Sequence, residues 1–283
     1  MYARKNEGRR TFIGSAELKN YDIMIFVNTL VVKNLTAAYK DKLILNDISL
    51  NASSGEFICL CGPNGSGKST LLSLLAGLPY DGLKITKAKT LPQVNKKTIS
   101  SLKRKECARL IAYLQQSEFS EWNFTVRDFV LQGRYAFSKN GIWSKEDYKI
   151  TDEVLSELGL TDFKERKIHN LSGGEFQKVR IARCLTQKPL FMLLDEPSSS
   201  LDYVYEPHLL EFLKETAHKN DIGIITTIHN INLANRYADR IMLLPPGKNI
   251  ITGEKETVMS LENLKTTFGV DFKCENTKSF HAS

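Results

Sequence analysis

Residues 56–69 read Glu-Phe-Ile-Cys-Leu-Cys-Gly-Pro-Asn-Gly-Ser-Gly-Lys-Ser, a short apolar run followed by the pattern G-x-x-x-x-G-K-[ST]. The apolar run predicts a buried strand, and the leucine-rich residues 69–76 predict a helix that Gly77 and Pro79 terminate. Glycines let such a loop curl so that successive backbone N–H groups point at one anion, and the helix N-terminus adds positive potential. The stretch therefore predicts a site for a nucleoside triphosphate.

Two side chains of this phosphate loop have separate expected roles. Lys68 supplies a point charge to the β- and γ-phosphates, and the Ser69 hydroxyl is a candidate Mg²⁺ ligand. The residues expected to hold the nucleotide are Gly62, Pro63, Asn64, Gly65, Ser66, Gly67, Lys68, Ser69 and Thr70.

A second strand ends in two carboxylates. Residues 190–194 are apolar and run directly into Asp195 and Glu196. Such an acidic pair is often only a solvated loop start, but ligands of α/β sheets bind at the carboxyl ends of the strands, where the phosphate loop also lies. Asp195 is therefore expected in the Mg²⁺ shell, and Glu196 beside the γ-phosphate, where it can orient or deprotonate a water.

The rest of the chain predicts an α/β fold. Residues 118–171 have a helical pattern typical of an inserted lobe, and after them helices alternate with short apolar strands up to Leu244. This alternation indicates a largely parallel sheet covered on both faces. Residues 1–23 have no clear periodicity and are expected to form an extension that can be disordered, with Met24 as a candidate second start.

Composition excludes several classes of protein. The chain has 283 residues, of which 42% are hydrophobic and 25% charged, as in ordinary globular proteins and unlike disordered ones. The five cysteines form no CxxC pair, which argues against a disulfide framework or a zinc site. No apolar run is long enough to span a membrane, and no secretory signal is present.

The net charge of the chain does not decide which kind of partner it binds. The net charge of +7 permits contact with nucleic acid, a lipid surface or nucleotide phosphates. Residues 84–105 carry eight Lys and Arg with almost no acids, which fits either a binding strip for nucleic acid or lipid or, more commonly, a solvated loop and helix face.

A third motif narrows the family. Residues 171–175 read Leu-Ser-Gly-Gly-Glu, with Gln177 two residues later. Together with the phosphate loop and the acidic strand end, this motif resembles the nucleotide-binding subunit of ABC transporters over residues 29–269. The resemblance implies a P-loop NTPase (RecA-like) core with a largely parallel sheet, an N-terminal antiparallel β subdomain and the inserted helical lobe. The implied ATP-binding domain spans 24–270, and 271–283 form a tail.

The resemblance also implies roles for individual residues. Tyr39 stacks on adenine, and Gln116 contacts both Mg²⁺ and the attacking water, with Gln115 as the alternative glutamine. Glu196 is the catalytic base, and His229 is a switch histidine that touches the γ-phosphate. The metal ligands are Ser69, Gln116 and Asp195. Further nucleotide contacts come from the second subunit's copies of Ser172, Gly173 and Gly174, and residues 200–202 cross the dimer interface.

The implied protein is a Mg²⁺-dependent ATPase that acts as a homodimer or a close paralogous pair. It docks on integral-membrane permease subunits at the cytoplasmic face of the cell membrane, serves an extracytoplasmic substrate-binding protein indirectly, and has no nucleic-acid partner.

Residues 125–135 and 229–239 are most similar to ATPases of importers for iron chelates (siderophores), haem and cobalamin. Importers of zinc or manganese, exporters, and soluble ABC ATPases of DNA maintenance or translation stay as alternatives; the soluble class generally has tandem cassettes or a long coiled-coil insertion, which this sequence lacks.

Overall fold

The computed structural model describes residues 27–116, 123–199, 201, 204–274 and 280–282. The predicted extension, residues 1–23, lies outside this part of the chain, as do residues 118–122 of the predicted helical lobe.

A six-stranded sheet forms the centre of the fold. Its strands are β3 (Phe57–Cys61), β7 (Ile111–Leu114), β8 (Phe191–Leu194), β9 (Gly223–Thr227), β10 (Arg240–Leu243) and β11 (Ile251–Thr252). They lie in the order β11-β10-β3-β9-β8-β7; the first five named pair in parallel, and β11 adds an antiparallel edge. Strands β3, β8 and β9 are buried at every position, because both faces of the sheet are covered. The largely parallel sheet predicted from the alternating pattern is confirmed.

A second sheet is antiparallel throughout. Its strands are β1 (Thr29–Tyr39), β2 (Lys42–Ser53), β4 (Leu83–Lys87), β5 (Thr90–Val94) and β6 (Lys97–Thr98). Strand β1 alternates between buried and more exposed positions near its start, since one face packs on the core. This is the N-terminal antiparallel subdomain that the resemblance implied.

The basic segment 84–105 was expected to be loop and helix surface, and here the structure differs. The segment contains β4, β5, β6 and the start of a helix, and all eight of its Lys and Arg side chains are exposed. The sequence pattern does not reveal these strands, because β4 is exposed at four of its five positions and β6 has only two residues, so neither shows the alternation that identifies a strand. The solvated-surface interpretation of these charges agrees with their exposure.

Nine helices fall within the described residues. They are α1 (Lys68–Leu75), α2 (Arg104–Leu110), α3 (Val126–Leu131), α4 (Lys145–Glu157), α5 (Gly173–Thr186), α6 (Tyr205–Asn220), α7 (Ile231–Tyr237), α8 (Lys255–Val258) and α9 (Leu261–Phe268). Short strands β12 (Phe272–Cys274) and β13 (Phe280–Ala282) pair near the C-terminus. The charged residues 164–167, predicted as helical, lie between two 3₁₀ turns.

Two apolar cores lie against opposite faces of the parallel sheet. Alternate residues of one strand serve each core: Phe57 and Cys59 of β3 belong to the core with α3, α5 and α6, and Ile58 and Leu60 to the core with α1 and the antiparallel sheet. The helical lobe packs onto α5 at Gly133, where an added Cβ would lie 2.3 Å from the carbonyl oxygen of Arg183. Only glycine allows this approach.

None of the helices within the described ranges combines the length and apolar character that crossing a membrane requires.

Asp239 joins three elements at the start of β10. It accepts a hydrogen bond from the backbone N–H of Phe57 at 2.9 Å, its Oδ2 lies 2.7 Å from His218 Nε2, and its Oδ1 lies 3.3 Å from Lys214 Nζ. Burial alone would raise the pKa of this carboxyl, but the hydrogen bonds from Phe57, His218 and Lys214 outweigh it and lower the pKa below its ordinary value.

We therefore expect Asp239→Asn to lower the free energy of unfolding by about 1–2 kcal/mol at pH 7, because hydrogen bonds to an ionised group are lost. Since the pKa is lower in the folded protein, this stabilisation exists above the unfolded-state pKa and disappears as pH falls through the folded-state pKa. Urea unfolding of both proteins at pH 7, 5 and 3 measures it. A difference that stays constant down to pH 3 would contradict the assignment.

Candidate nucleotide-binding site

The phosphate loop connects the end of β3 to the first turn of α1, and its glycines are required by the backbone. Gly62 passes so close to β10 that a Cβ would lie 2.6 Å from the carbonyl oxygen of Leu244. Gly67, at the helix start, has φ +100°, and Gly65 has φ +76°, both in the region that favours glycine. The predicted strand, loop and helix are all present.

Lys68 is folded back onto its own loop. Its Nζ donates to the carbonyl oxygens of Gly62 at 2.9 Å and Pro63 at 3.1 Å, and burial lowers the pKa of the ammonium group. The hydroxyl of Ser66 is buried and has no hydrogen-bond partner among the described residues. A cationic group in a glycine loop at a helix N-terminus is suited to a phosphate, whose oxygens can replace the two loop carbonyls as partners of Lys68.

Asp195 follows β8 directly and is almost completely buried. Burial raises the pKa of its carboxyl, while hydrogen bonds from the hydroxyls of Ser69 and Thr227 act in the opposite direction. The Thr227 hydroxyl donates to Asp195 Oδ1 at 2.9 Å and accepts the backbone N–H of Glu196 at 2.7 Å. One hydroxyl at the end of β9 thus binds the carboxylate of Asp195 and the backbone of Glu196.

Glu196 lies between two side chains from other strands. Its Oε2 accepts a hydrogen bond from Gln116 Nε2 at 2.7 Å, and its Oε1 lies 2.6 Å from His229 Nε2. The backbone of Glu196 has φ +48°, a conformation that costs energy for a residue with a side chain. The hydrogen bond to Thr227 and the two side-chain contacts hold the carboxylate in this orientation.

The two adjacent glutamines make different contacts. Gln116, and not Gln115, presents its side chain to Glu196, whereas the backbone oxygen of Gln115 accepts a hydrogen bond from Arg180.

A cleft of about 530 Å³ opens over the phosphate loop. Its lining residues are Tyr39, Lys42, Ile44, Asn64, Gly65, Gly67, Lys68, Ser69, Thr70, Gln116, Glu196 and His229. Tyr39 lies at the end of β1 and is half-buried at one side, where a nucleotide base could stack on its ring. The cleft therefore offers a polar end for phosphates and an aromatic group for a base.

Ser172, Gly173 and Gly174 lie elsewhere, at the N-terminus of α5. Ser172 caps this helix: its Oγ accepts the backbone N–H of Glu175 at 3.3 Å, and its own N–H donates to Glu175 Oε2 at 2.7 Å. These backbone and hydroxyl hydrogen bonds from Ser172 lower the pKa of Glu175. Ser172, Gly173 and Gly174, here called the Ser172 cradle, line a separate opening of about 450 Å³. This opening shares no lining residue with the phosphate-loop cleft.

Most predicted site residues thus gather around one cleft, and the three of the cradle do not. Of the predicted interface loop, Leu201 lines the cradle opening, and Ser200 and Asp202 lie outside the described residues.

Thr227 is a site residue that the sequence analysis did not identify, because a threonine in a β-branched run suggests only a strand. Its position two residues before His229, at the same sheet edge, is the signal that could have identified it.

Comparison with known proteins agrees with this geometry. The ABC transporter family model matches residues 45–199. The chain belongs to this family. ABC transporter ATP-binding proteins hydrolyse ATP, so the chain is an ATP-binding protein and an ATPase, as the resemblance implied.

Two relatives and one solved structure illustrate the similarity. The chain is 33% identical over 243 residues to "Uncharacterized ABC transporter ATP-binding protein YvrA" of Bacillus subtilis; the match covers 84% of this chain but only 53% of YvrA. It is 35% identical over 240 residues to "Probable iron chelatin transport ATP-binding protein" of Helicobacter pylori, covering 84% and 92% of the two chains. A solved structure described as "An inward-facing conformation of a putative metal-chelate type ABC transporter" matches with a TM-score of 0.74 and 26% identity, covering 90% of this chain and 95% of that chain.

The ATPase is expected to depend on the Thr227 hydroxyl. Thr227→Val leaves the Asp195 carboxylate and the Glu196 N–H without this partner in a buried place, so the free energy of unfolding should fall by about 1–3 kcal/mol. Because Glu196 also loses its backbone anchor, ATP turnover should fall as well. Chemical unfolding and a steady-state ATPase assay measure the two effects. Thr227→Ser keeps the hydroxyl and is the matched control; an equal loss of turnover in both variants would contradict the assignment.

Proposed function

We propose that this ATPase drives a membrane importer for an iron chelate, with ATP bound to the phosphate loop and Glu196 acting as the base that activates water. The observation that carries the chemistry is the position of the Glu196 carboxylate, in contact with Gln116 and His229 and lining the same cleft as Lys68. A general base must lie within hydrogen-bond reach of the water that it deprotonates, and this carboxylate opens toward the cleft.

Mg²⁺ fits the oxygen atoms available here. The Ser69 hydroxyl, the Asp195 carboxylate and the Gln116 amide oxygen are hard ligands of the type that Mg²⁺ prefers, and the hydrogen bond between Ser69 and Asp195 supports their convergence. Bound there, the ion would neutralise charge on the β- and γ-phosphates.

The side chains then have distinct roles. Lys68 exchanges its two loop carbonyls for phosphate oxygens, the backbone N–H groups of residues 65 and 67–70 donate to the same phosphates, and Tyr39 stacks on adenine. Glu196 accepts the proton of the attacking water, Gln116 orients that water, and His229 contacts the γ-phosphate. Each role uses a group that already lines the cleft or forms its floor.

The Ser172 cradle completes the site from a second subunit. Ser172, Gly173 and Gly174 present a helix N-terminus and a hydroxyl, which suit an anion, yet they line a different opening from the Lys68 loop. A head-to-tail homodimer would place each cradle on the ATP of the partner. The separation of the two openings within one chain supports this arrangement.

The remaining partners follow from the transport role. The ATPase would dock on integral-membrane permease subunits at the cytoplasmic face of the membrane, and a substrate-binding protein would deliver the chelate outside. The relative from Helicobacter pylori and the structural neighbour, named for iron chelatin and metal chelates, support the choice of cargo.

Lys68 and Glu196 should separate binding from chemistry. Lys68→Ala removes the charge that faces the phosphates, so ATP affinity and turnover should both fall. Glu196→Gln keeps the shape and loses the base, so ATP should still bind while turnover falls on the order of 10²–10⁴-fold. Because hydrolysis would release the closed dimer, Glu196→Gln should accumulate as an ATP-bound dimer, which size-exclusion chromatography with ATP and Mg²⁺ detects. A Glu196→Gln protein that stays monomeric or hydrolyses ATP normally would overturn the assignment of Glu196 as the base and the model in which Ser172 completes the site from a second subunit.

The cargo has its own test. A strain without this gene and without a redundant importer should grow poorly when a ferric chelate is the sole iron source and normally on abundant ferrous iron. Complementation with the wild-type gene should restore growth, and complementation with the Glu196→Gln gene should not. Normal growth of the deletion strain on the chelate would rule out this cargo while leaving the ATPase assignment intact.

A further inference from the structure

Helix α5 holds strand β7 at both ends. At the start of β7, Gln187, just after α5, donates from its amide to the backbone oxygen of Ile111 at 2.6 Å. Beyond the other end, Arg180 of α5 donates to the backbone oxygen of Gln115, the residue before Gln116. The second contact matters for the site, because it fixes the backbone from which the Gln116 side chain reaches Glu196.

The Arg180 guanidinium is held by burial and by a second hydrogen bond. Its side chain is buried, and its Nη1 donates to Gln177 Oε1 at 2.7 Å, one turn earlier on the same helix. A planar guanidinium that binds two acceptors in fixed directions transmits a displacement of its helix more directly than a flexible ammonium group would. Gln177 therefore orients Arg180, and Arg180 holds Gln115.

We propose that Arg180 is a positioning residue that couples the Ser172 cradle, which serves the partner's ATP, to Gln116 and Glu196 of its own subunit. The inference rests on the proposed two-subunit ATPase. Ser172 and Arg180 lie on one continuous helix, eight residues or about 12 Å apart. When a nucleotide draws the N-terminus of α5, the helix moves as a unit, and Arg180 carries the movement to the backbone of Gln115. The contacts then continue through Gln116 to the carboxylate of Glu196.

A double-mutant cycle on the isolated full-length protein tests the coupling. Arg180→Met should leave the affinity for a fluorescent ATP analogue within about twofold and lower kcat about tenfold, a size typical of coupled pairs. In the Gln116→Ala background the same change should lower kcat less than about twofold, because the chain of contacts is already interrupted. A residue that only stabilised the fold would lower kcat by the same factor in both backgrounds.

Gln187→Met is the matched control, since it removes an α5 contact to the other end of β7. It should change kcat by the same factor with and without Gln116. Gln177→Leu gives a second route if Arg180→Met fails to fold: it removes the acceptor that orients Arg180, and the Gln177 Nε2 that it deletes has no partner among the described residues. Its effect on kcat should likewise shrink in the Gln116→Ala background.

Equal factors for Arg180→Met in both backgrounds, or for Gln177→Leu where that variant is needed, would overturn the coupling. Failure of the proposed function looks different, because the wild-type protein would then hydrolyse no ATP or Glu196→Gln would form no ATP-bound dimer.

Discussion

The in-register ends of four parallel strands determine where the chemistry of this protein can occur. Leu60 of β3 pairs with Thr227, Leu194 of β8 pairs with Thr226, and Leu114 of β7 pairs with Leu194. One or two residues after these positions come the phosphate loop, Asp195, Gln116 and His229. Because the strands are parallel, groups that are distant in sequence emerge at one edge, and the sheet positions them without help from long loops.

This constraint explains why the sequence predicted so much of the fold and the cleft. Apolar runs that stop at a glycine loop or at two carboxylates reveal both a buried strand and the residues at its carboxyl end, as for Gly62 and Asp195. The antiparallel strands β4 to β6 lack such a signal, since β4 is exposed at four of its five positions, β5 contains Pro92 and β6 has only two residues. A local pattern also cannot reveal which strands are neighbours: the position of Thr227 before His229 marks it as lying at the site's edge of the sheet, but that it joins Asp195 to Glu196 needed the structure.

The choice between Gln115 and Gln116 shows another limit of sequence. Two adjacent residues after a strand point in different directions, and only the tertiary contacts decide which side chain enters the cleft. Arg180 binds the backbone of the first, and Glu196 binds the side chain of the second. The contact that resolves the ambiguity is also the one that attaches the helix of the Ser172 cradle to this site.

The backbone of Glu196 connects these observations. A non-glycine residue at φ +48° persists only where its surroundings impose the conformation, and three groups do so here: the Thr227 hydroxyl, the Gln116 amide and the His229 ring. Gln116 follows strand β7 and His229 follows strand β9. The position of Gln116 depends further on α5, because Arg180 of that helix binds the backbone of Gln115. A carboxylate whose orientation needs contributions from several elements responds when any one of them moves, whereas a carboxylate in a relaxed conformation would not. With Glu196 as the proposed base, this strained residue would make hydrolysis sensitive to the position of α5, and hence to whether Ser172, Gly173 and Gly174 at its N-terminus are engaged.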